Sequence, residues 1–241
     1  RDHSRRVKAA VASIAPKIED RGIDEIYIDL TDIPEASLPL AKRIKAAVYD
    51  ATGLTCSIGI TPHKLLSKIS SDLEKPDGIT ILGMDDLETR IWPLPAKKIN
   101  GIGPKATEKL TALGINTVGE LAATPTAFLI AQFGRTMGAW LHQVAHGIDD
   151  RELVVERDPK SVSRETTFDR DLHAKQDRAE LSEKFTAICQ RLSEDLKRKG
   201  VLAKTIGVKL RYADFHVVTR DLTLPVAVDD GAEIRKAAGE C

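Results

Sequence analysis

Hydrophobic positions in the first third of the chain alternate between helical and extended spacing. Each predicted helix carries apolar residues three or four positions apart, and each predicted strand is a short β-rich run. The helices are predicted at 4–15, at 38–51 and from a Thr61-Pro62 start to about 73. The strands are predicted at 23–31, 54–60 and 79–82. Strands alternating with helices indicate a sheet backed by helices.

The pattern changes at Trp92-Pro93-Leu94-Pro95, where two prolines in four residues suggest a domain boundary. From there to about 150 the spacing predicts short helices without a strand. A charged stretch over 151–160 is typical of a linker.

A third region follows, with a long helix that keeps its apolar residues in register. The predicted order is strand 160–168, helix 177–199, strands 204–212 and 216–224, and a helix starting near 230. The whole pattern therefore predicts an α+β multi-domain fold whose last domain is β-α-β-β-α.

Composition narrows the class of protein only modestly. The chain has 241 residues, 42% of them hydrophobic, and its 36 basic and 36 acidic residues leave no net charge. A basic surface must therefore be local. Three cysteines without Cys-x-x-Cys spacing argue against a zinc site or a disulfide framework and favour a reducing compartment. No apolar run approaches a membrane span, so we expect no membrane association.

Two adjacent acids, Asp24 and Glu25, open the predicted strand 23–31 directly after Gly22. Burying unpaired carboxylates is costly, so cations are expected beside them: basic side chains or a divalent metal, which prefers oxygen ligands. Gly22 makes a bend there easy, and a bend could direct both acids to one site. The alternative is an exposed turn whose two acids are simply solvated.

The segment Ile99–Leu110 reads Ile-Asn-Gly-Ile-Gly-Pro-Lys, and Pro104 is the expected first residue of a helix. Gly101 and Gly103 allow close approach to the backbone, and a helix N-terminus beside Lys105 favours a phosphate. This resembles a helix-hairpin-helix element that holds DNA backbone. The alternative is an ordinary helical hairpin with a glycine turn.

Polar and basic residues mark the predicted strands of the third region. Lys209 and Arg211 alternate with apolar neighbours, so one face of that strand should be basic and suited to a phosphate backbone. The alternative is a solvated face of an open sheet. The other candidates lie on the first strand: Ser161, Ser163, Arg164 and Thr167.

Five stretches in order resemble the Y family of translesion DNA polymerases over nearly the whole chain. They are 22–30, 57–68, 71–78, 99–106 and 160–167. The resemblance implies an incomplete palm over 1–94, a thumb over 95–155 and an incomplete little finger over 160–241.

The resemblance also implies site roles. Asp24 and Glu25 would bind metal and support attack by the primer 3′-hydroxyl, and Lys68 would meet the incoming dNTP. Gly101, Gly103 and Lys105 would grip the primer backbone. The little-finger strand that tracks template phosphates would carry Ser161, Ser163, Arg164 and Thr167. Lys209 and Arg211 are DNA-binding candidates through the basic face of their own strand.

Further expectations follow from the same resemblance: two Mg²⁺ ions, primer-template DNA as partner, a sliding clamp for the full-length protein, a monomeric state and a bacterial cytoplasmic location. The family shares a further metal-binding aspartate that would precede Arg1. The chain as printed is therefore expected to be inactive, although the full-length protein would be a polymerase.

Two other functions compete with polymerase activity. One is a non-catalytic, polymerase-like accessory protein that binds DNA, although such a protein has no need of Asp24, Glu25 and Lys68 together. The other is a repair nuclease with a helix-hairpin-helix, which leaves the acidic stretch and the third region without a purpose.

Overall fold

The computed structural model describes residues 1–156 and 158–241, and the chain divides into two compact units, Arg1–Arg157 and Asp158–Cys241. Helices and small sheets occur in both units, which makes the fold α+β. Each unit is described by itself. No helix in the described ranges is both long enough and apolar enough to cross a membrane.

The first unit begins with a helix followed by a β-hairpin. The elements are α1 (Asp2–Ala12), β1 (Ile18–Asp20), β2 (Ile26–Ile28) and α2 (Ser37–Thr52). The predicted strand 23–31 is wrong in its length, because its first residues form the hairpin loop. The Arg21 N–H donates to the Glu25 carbonyl at 3.1 Å and closes that loop, while Ile23 is 66% exposed. The antiparallel pairing of β1 with β2 sets Glu19 opposite Tyr27.

A parallel pair of strands with a connecting helix follows: β3 (Ile58–Ile60), α3 (Lys64–Leu73) and β4 (Ile79–Ile81). The predicted start of this helix at Thr61-Pro62 is wrong. His63 is the N-cap instead, in an extended conformation, and its Nδ1 accepts from the Leu66 N–H at 3.5 Å. The Thr61 hydroxyl donates to the His63 carbonyl at 2.9 Å and so does not cap the helix.

The region after the two prolines folds as short helices, as its pattern predicts. They are α4 (Pro104–Ala112), α5 (Val118–Ala123), α6 (Thr126–Phe133) and α7 (Arg135–Ala145). One hydrophobic cluster contains Leu66 of α3 together with Leu110 and Leu141 of these helices. The Trp92 indole N–H also donates to the Ala145 carbonyl at 3.0 Å. The core thus continues past residue 94, and the division into palm and thumb stays a prediction.

The second unit packs two helices against a two-stranded antiparallel sheet. The elements are α8 (Arg178–Lys199), β5 (Ala203–Arg211), β6 (Val217–Val228) and α9 (Gly231–Glu240). Cys189, Leu196, Ile206 and Ile234 form the centre of its core. The helix end at Gly200 is left-handed with φ of 65°, a conformation that glycine adopts without strain.

The predicted strand 160–168 is not a strand. Within the described part of the second unit, β5 and β6 pair with each other and residues 160–168 join no ladder. An apolar contact and an ion pair hold this segment instead. Val162 packs against the core, and the Arg164 guanidinium binds the carboxylate of Asp195 on α8. The local sequence could not distinguish such a segment from a paired strand, because pairing depends on a partner elsewhere in the chain.

Candidate nucleotide and DNA site

The loop of residues 21–25 carries the two candidate site acids at the surface of the first unit. Asp24 and Glu25 lie between β1 and β2, in the turn that Gly22 allows. Two contacts from outside the acids fix this turn. The Gly22 N–H donates to Asp20 at 3.0 Å, and Lys8 of α1 donates to the Gly22 carbonyl at 2.6 Å. The acids are therefore exposed on an anchored loop and do not open a buried strand.

Glu25 forms an ion pair with Lys68 of α3, so the structure brings together two residues that are 43 positions apart. The Glu25 side chain is 45% exposed and that of Lys68 is 21% exposed. Partial burial alone lowers the pKa of Lys68, but the hydrogen bond to Glu25 and the charges of Asp72 and Glu25 outweigh it, and the pKa is raised. Lys68 is thus a firmly held cation beside the acidic loop.

Asp72 and Lys75 belong to the same charged surface, although neither is a candidate site residue from the sequence. Lys75 donates to Asp72 at 2.5 Å, and Asp72 lies one helical turn beyond Lys68 on α3. Burial alone raises the pKa of Asp72, but Lys75 and Lys68 lower it overall. The four-residue spacing of Lys68 and Asp72 is the sequence feature that could have indicated their contact.

Asp24 and Glu25 are hard oxygen donors, the type that Mg²⁺ prefers. Asp24 makes no hydrogen bond or ion pair with the residues described, so its carboxylate is available. Within residues 1–156 and 158–241 no third acid, histidine or cysteine completes a cluster around them. By the chemistry of their oxygens, the two acids would fit a divalent-metal site as two of its protein ligands.

Gly101 and Gly103 lie in the helix-hairpin-helix turn in different surroundings. Gly101 has φ of +112°, and a Cβ there would lie 2.7 Å from the Trp140 ring. The positive φ and the packing of Trp140 are therefore two separate reasons for glycine at this position. A Cβ on Gly103 would meet nothing within 4 Å, and Pro104 directly after it is the first residue of α4. The start of α4 is thus open, with the exposed Lys105 beside it.

The predicted template contacts in the second unit differ in availability. Ser161, Ser163 and Thr167 are exposed. The Arg164 guanidinium makes a two-point contact with Asp195, whose carboxylate is buried; one of the two distances, Nη2 to Oδ1, is 2.7 Å. That contact raises the pKa of Arg164 and also occupies part of its hydrogen-bonding capacity.

Lys209 and Arg211 share one face of β5, as predicted. Their partners on β6 are Thr219 and Val217. Farther along this face the Thr205 and Thr223 hydroxyls lie 3.0 Å apart. We call the surface of Thr205, Lys209, Arg211, Thr219 and Thr223 the basic sheet face.

The chain matches three family models in order. The model described as the impB/mucB/samB family covers residues 1–72, and that of the family's C-terminal domain covers 159–241. The model described as DNA polymerase-iota, thumb domain covers 97–149. These matches define the class as a DNA polymerase-like protein.

Curated relatives narrow the class. DNA polymerase IV of Methanoculleus marisnigri is 40% identical over 96% of this chain and 64% of its own length. Those of Moorella thermoacetica and Caulobacter vibrioides are 33% and 31% identical over 98% and 100% of this chain, and each is covered over 60% of its length. The chain thus spans less than two thirds of these relatives. It belongs to the Y family of DNA polymerases.

Proposed function

We propose that the full-length protein is a template-directed DNA polymerase that copies past damaged template bases. It would transfer a nucleotide from a dNTP to the 3′-hydroxyl of a primer. The observation that carries the proposal is the ion pair of Glu25 and Lys68 beside Asp24, which has no partner among the described residues. Family membership and the relatives named DNA polymerase IV support it.

Phosphoryl transfer depends mainly on positioning and on charge stabilisation. Asp24 and Glu25 would hold Mg²⁺, which supplies charge stabilisation at the attacking and leaving oxygens when two ions are bound. Lys68 would exchange its contact with Glu25 for the triphosphate of the dNTP. A lysine side chain is a cation at neutral pH, as that role requires.

DNA would be held through its phosphates, without reading of sequence. The open start of α4 beside Gly103 and Lys105 would bind one backbone segment. The basic sheet face and the exposed Ser161, Ser163 and Thr167 would bind another. Gly101 would shape the turn. Arg164 shares the Asp195 carboxylate with Arg198, so the trio would keep a net positive charge that favours a phosphate.

We further propose a monomeric, cytoplasmic enzyme that works with a sliding clamp. Membership of the family and the relatives named DNA polymerase IV support a role in DNA synthesis during repair. The partner and the oligomeric state can be checked by light scattering of the full-length protein with and without purified clamp.

The test is primer extension with Mg²⁺ by the full-length protein and its D24N/E25Q variant, with DNA binding measured in parallel. Extension should fall at least about a thousandfold, because removal of metal-binding charge abolishes charge stabilisation, while the Kd for primer-template DNA changes less than about threefold. Asp32→Asn is the matched control: it removes an acid just after the hairpin that pairs with Lys17. Equal extension by all three proteins would overturn the proposal.

A further inference from the structure

Two ion pairs, one helical turn apart, join the β1–β2 hairpin to α3. Lys68 pairs with Glu25, and Lys64 pairs with Glu19 at 2.8 Å. Tyr27 lies opposite Glu19 in the hairpin, with its ring centre 5.8 Å from the Lys64 Nζ. Glu25 and Lys68, the outer pair, are each candidate residues from the sequence, which does not pair them. Glu19 and Lys64, the inner pair, are not candidates from the sequence, because Glu19 belongs to a three-residue strand with a single apolar position.

The two pairs differ sharply in exposure. The Glu19 and Lys64 side chains are 6% and 13% exposed, whereas Glu25 is 45% exposed. A buried ion pair that loses one partner leaves an uncompensated charge, so it persists as a unit. The outer pair can exchange its partners with solvent or a ligand. The inner pair is thus fixed and the outer pair is exchangeable.

Glu19 is also bound to the segment of residues 149–154. The Val154 N–H donates to its carboxylate at 3.0 Å, and Arg21 contributes a contact at 3.3 Å. Burial alone raises the pKa of Glu19, but the hydrogen bonds from Lys64 and Val154 and the charges of Lys64 and Arg21 lower it overall. Glu19 is therefore ionised at neutral pH.

The same segment holds the start of α3 directly. The buried Asp149 carboxylate accepts from the Leu65 N–H at 2.8 Å, at the end of the helix where free N–H groups favour negative charge. Arg151 binds Asp149 at 2.9 Å and completes its environment. Helix α3 is thereby held at its first turn by Asp149 and Glu19, and Lys68 follows one turn later.

We propose that Glu19 is a positioning residue, which holds Lys64 and the 149–154 segment so that α3 presents Lys68 to the acidic loop. This inference rests on the proposed function, in which Glu25 and Lys68 act on metal and triphosphate. Arg21 extends the effect to the loop itself, because its side chain contacts Glu19 and its N–H closes the turn at Glu25.

The first test is a double-mutant cycle in the full-length protein. Glu19→Gln keeps the size of the side chain and an acceptor for Val154 while removing the charge that holds Lys64. We expect it to lower kcat/KM for dNTP about tenfold, with the Kd for primer-template DNA within about twofold. In a Lys68→Ala background the same change should cost less than about twofold, because Glu19 acts through Lys68.

Lys64→Met and Lys45→Met form a matched pair of controls. Both lysines are largely buried on helices, but Lys45 binds the Cys56 and Asp77 carbonyls and touches neither the hairpin loop nor α3. Lys64→Met should reproduce the Glu19→Gln loss, and Lys45→Met should not. Equal losses from both lysine variants, or full loss from Glu19→Gln in the Lys68→Ala background, would overturn the positioning role.

A second readout needs no activity, DNA or nucleotide. Competitive acetylation by acetic anhydride across pH, followed by mass spectrometry, gives the reactivity of the Lys68 amine. Glu19→Gln should change the Lys68 profile, Glu19→Asp should restore part of it, and Lys45→Met should leave it unchanged. An unchanged Lys68 profile in Glu19→Gln refutes the positioning role. Absence of primer extension by the wild-type protein instead refutes the proposed function, and the labelling result still decides the positioning role.

Discussion

At the scale of single residues, Gly101 shows why one position in the helix-hairpin-helix turn tolerates only glycine. Its φ of +112° is unfavourable for other residues, and the Trp140 ring occupies the space of a Cβ. The sequence motif alone suggests that this glycine allows DNA to approach the backbone closely. The packing of Trp140 gives it a structural requirement that no local motif reveals.

Gly101→Ala should therefore destabilise the first unit by about 2–4 kcal/mol, the sum of a strained backbone and an overpacked contact. Urea unfolding followed by tryptophan fluorescence measures the change in the free energy of unfolding. Gly103→Ala, at a site with φ of −79° and open space, is the matched control and should stay within about 1 kcal/mol. Equal effects of the two variants would contradict this account of the turn.

Asp177 in the second unit should create a measurable acid dependence. The hydrogen bond and charge of Arg170, with the His173 N–H, lower the pKa of Asp177 from 3.8 to about 2. A lowered pKa stabilises the folded state above the unfolded pKa, and that stabilisation is lost as pH falls from about 4 to about 2.

Asp177→Asn should flatten the acid dependence in this pH window. Amide hydrogen exchange in the first turn of α8, measured between pH 4 and pH 2 in both proteins, reports it. An identical pH dependence in wild type and variant would show that the carboxylate does not contribute.

At the scale of elements, α5 illustrates a start that sequence alone predicts correctly. The Thr117 hydroxyl accepts from the Glu120 N–H at 3.1 Å, and the Glu120 carboxylate accepts from the Thr117 N–H at 2.9 Å. The Thr-x-x-Glu pattern of residues 117–120 is the sequence signature of this reciprocal capping box. Hydrogen bonds from the Asn116 and Thr117 N–H groups also lower the pKa of Glu120.

Thr117→Ala should cost about 1 kcal/mol of stability because it leaves a backbone N–H without its acceptor. Thr111→Ala, at an exposed position inside α4, is the control and should cost less than about 0.5 kcal/mol. Chemical denaturation of both variants distinguishes a lost cap from a generic effect of removing threonine.

The proposed DNA-binding role of the basic sheet face can be tested at Lys209 on β5. Lys209→Ala should weaken binding about equally for unrelated primer-template sequences and lower the slope of log K against log salt by about one. Lys236→Ala, at an exposed position on α9, which packs against the other side of the sheet, should leave the slope unchanged. Fluorescence anisotropy at several salt concentrations measures both, and equal slopes for Lys209→Ala and wild type would remove this face from the DNA-binding surface.

At the scale of the whole molecule, the sequence predicts the features that depend on local interactions and misses those that depend on distant residues. The long helix was predicted at 177–199 and found at Arg178–Lys199, because its periodicity and its Gly200 stop are local. Strand β1 was missed and the strand 160–168 was wrong, because pairing depends on a partner elsewhere in the chain. The site divides the same way: Asp24, Glu25 and Lys68 stood in recognisable motifs, whereas Glu19 acquires its role only through tertiary contacts.

In the proposed function, the acidic loop and α3 serve template-directed DNA synthesis by the full-length protein. The most direct measurement is single-nucleotide incorporation with Mg²⁺ opposite each of the four template bases and opposite an abasic site. We expect the complementary dNTP to be preferred at each base, and incorporation to continue opposite the abasic site. Tight binding of every primer-template without incorporation at any of them would contradict the claim and favour a non-catalytic DNA-binding protein.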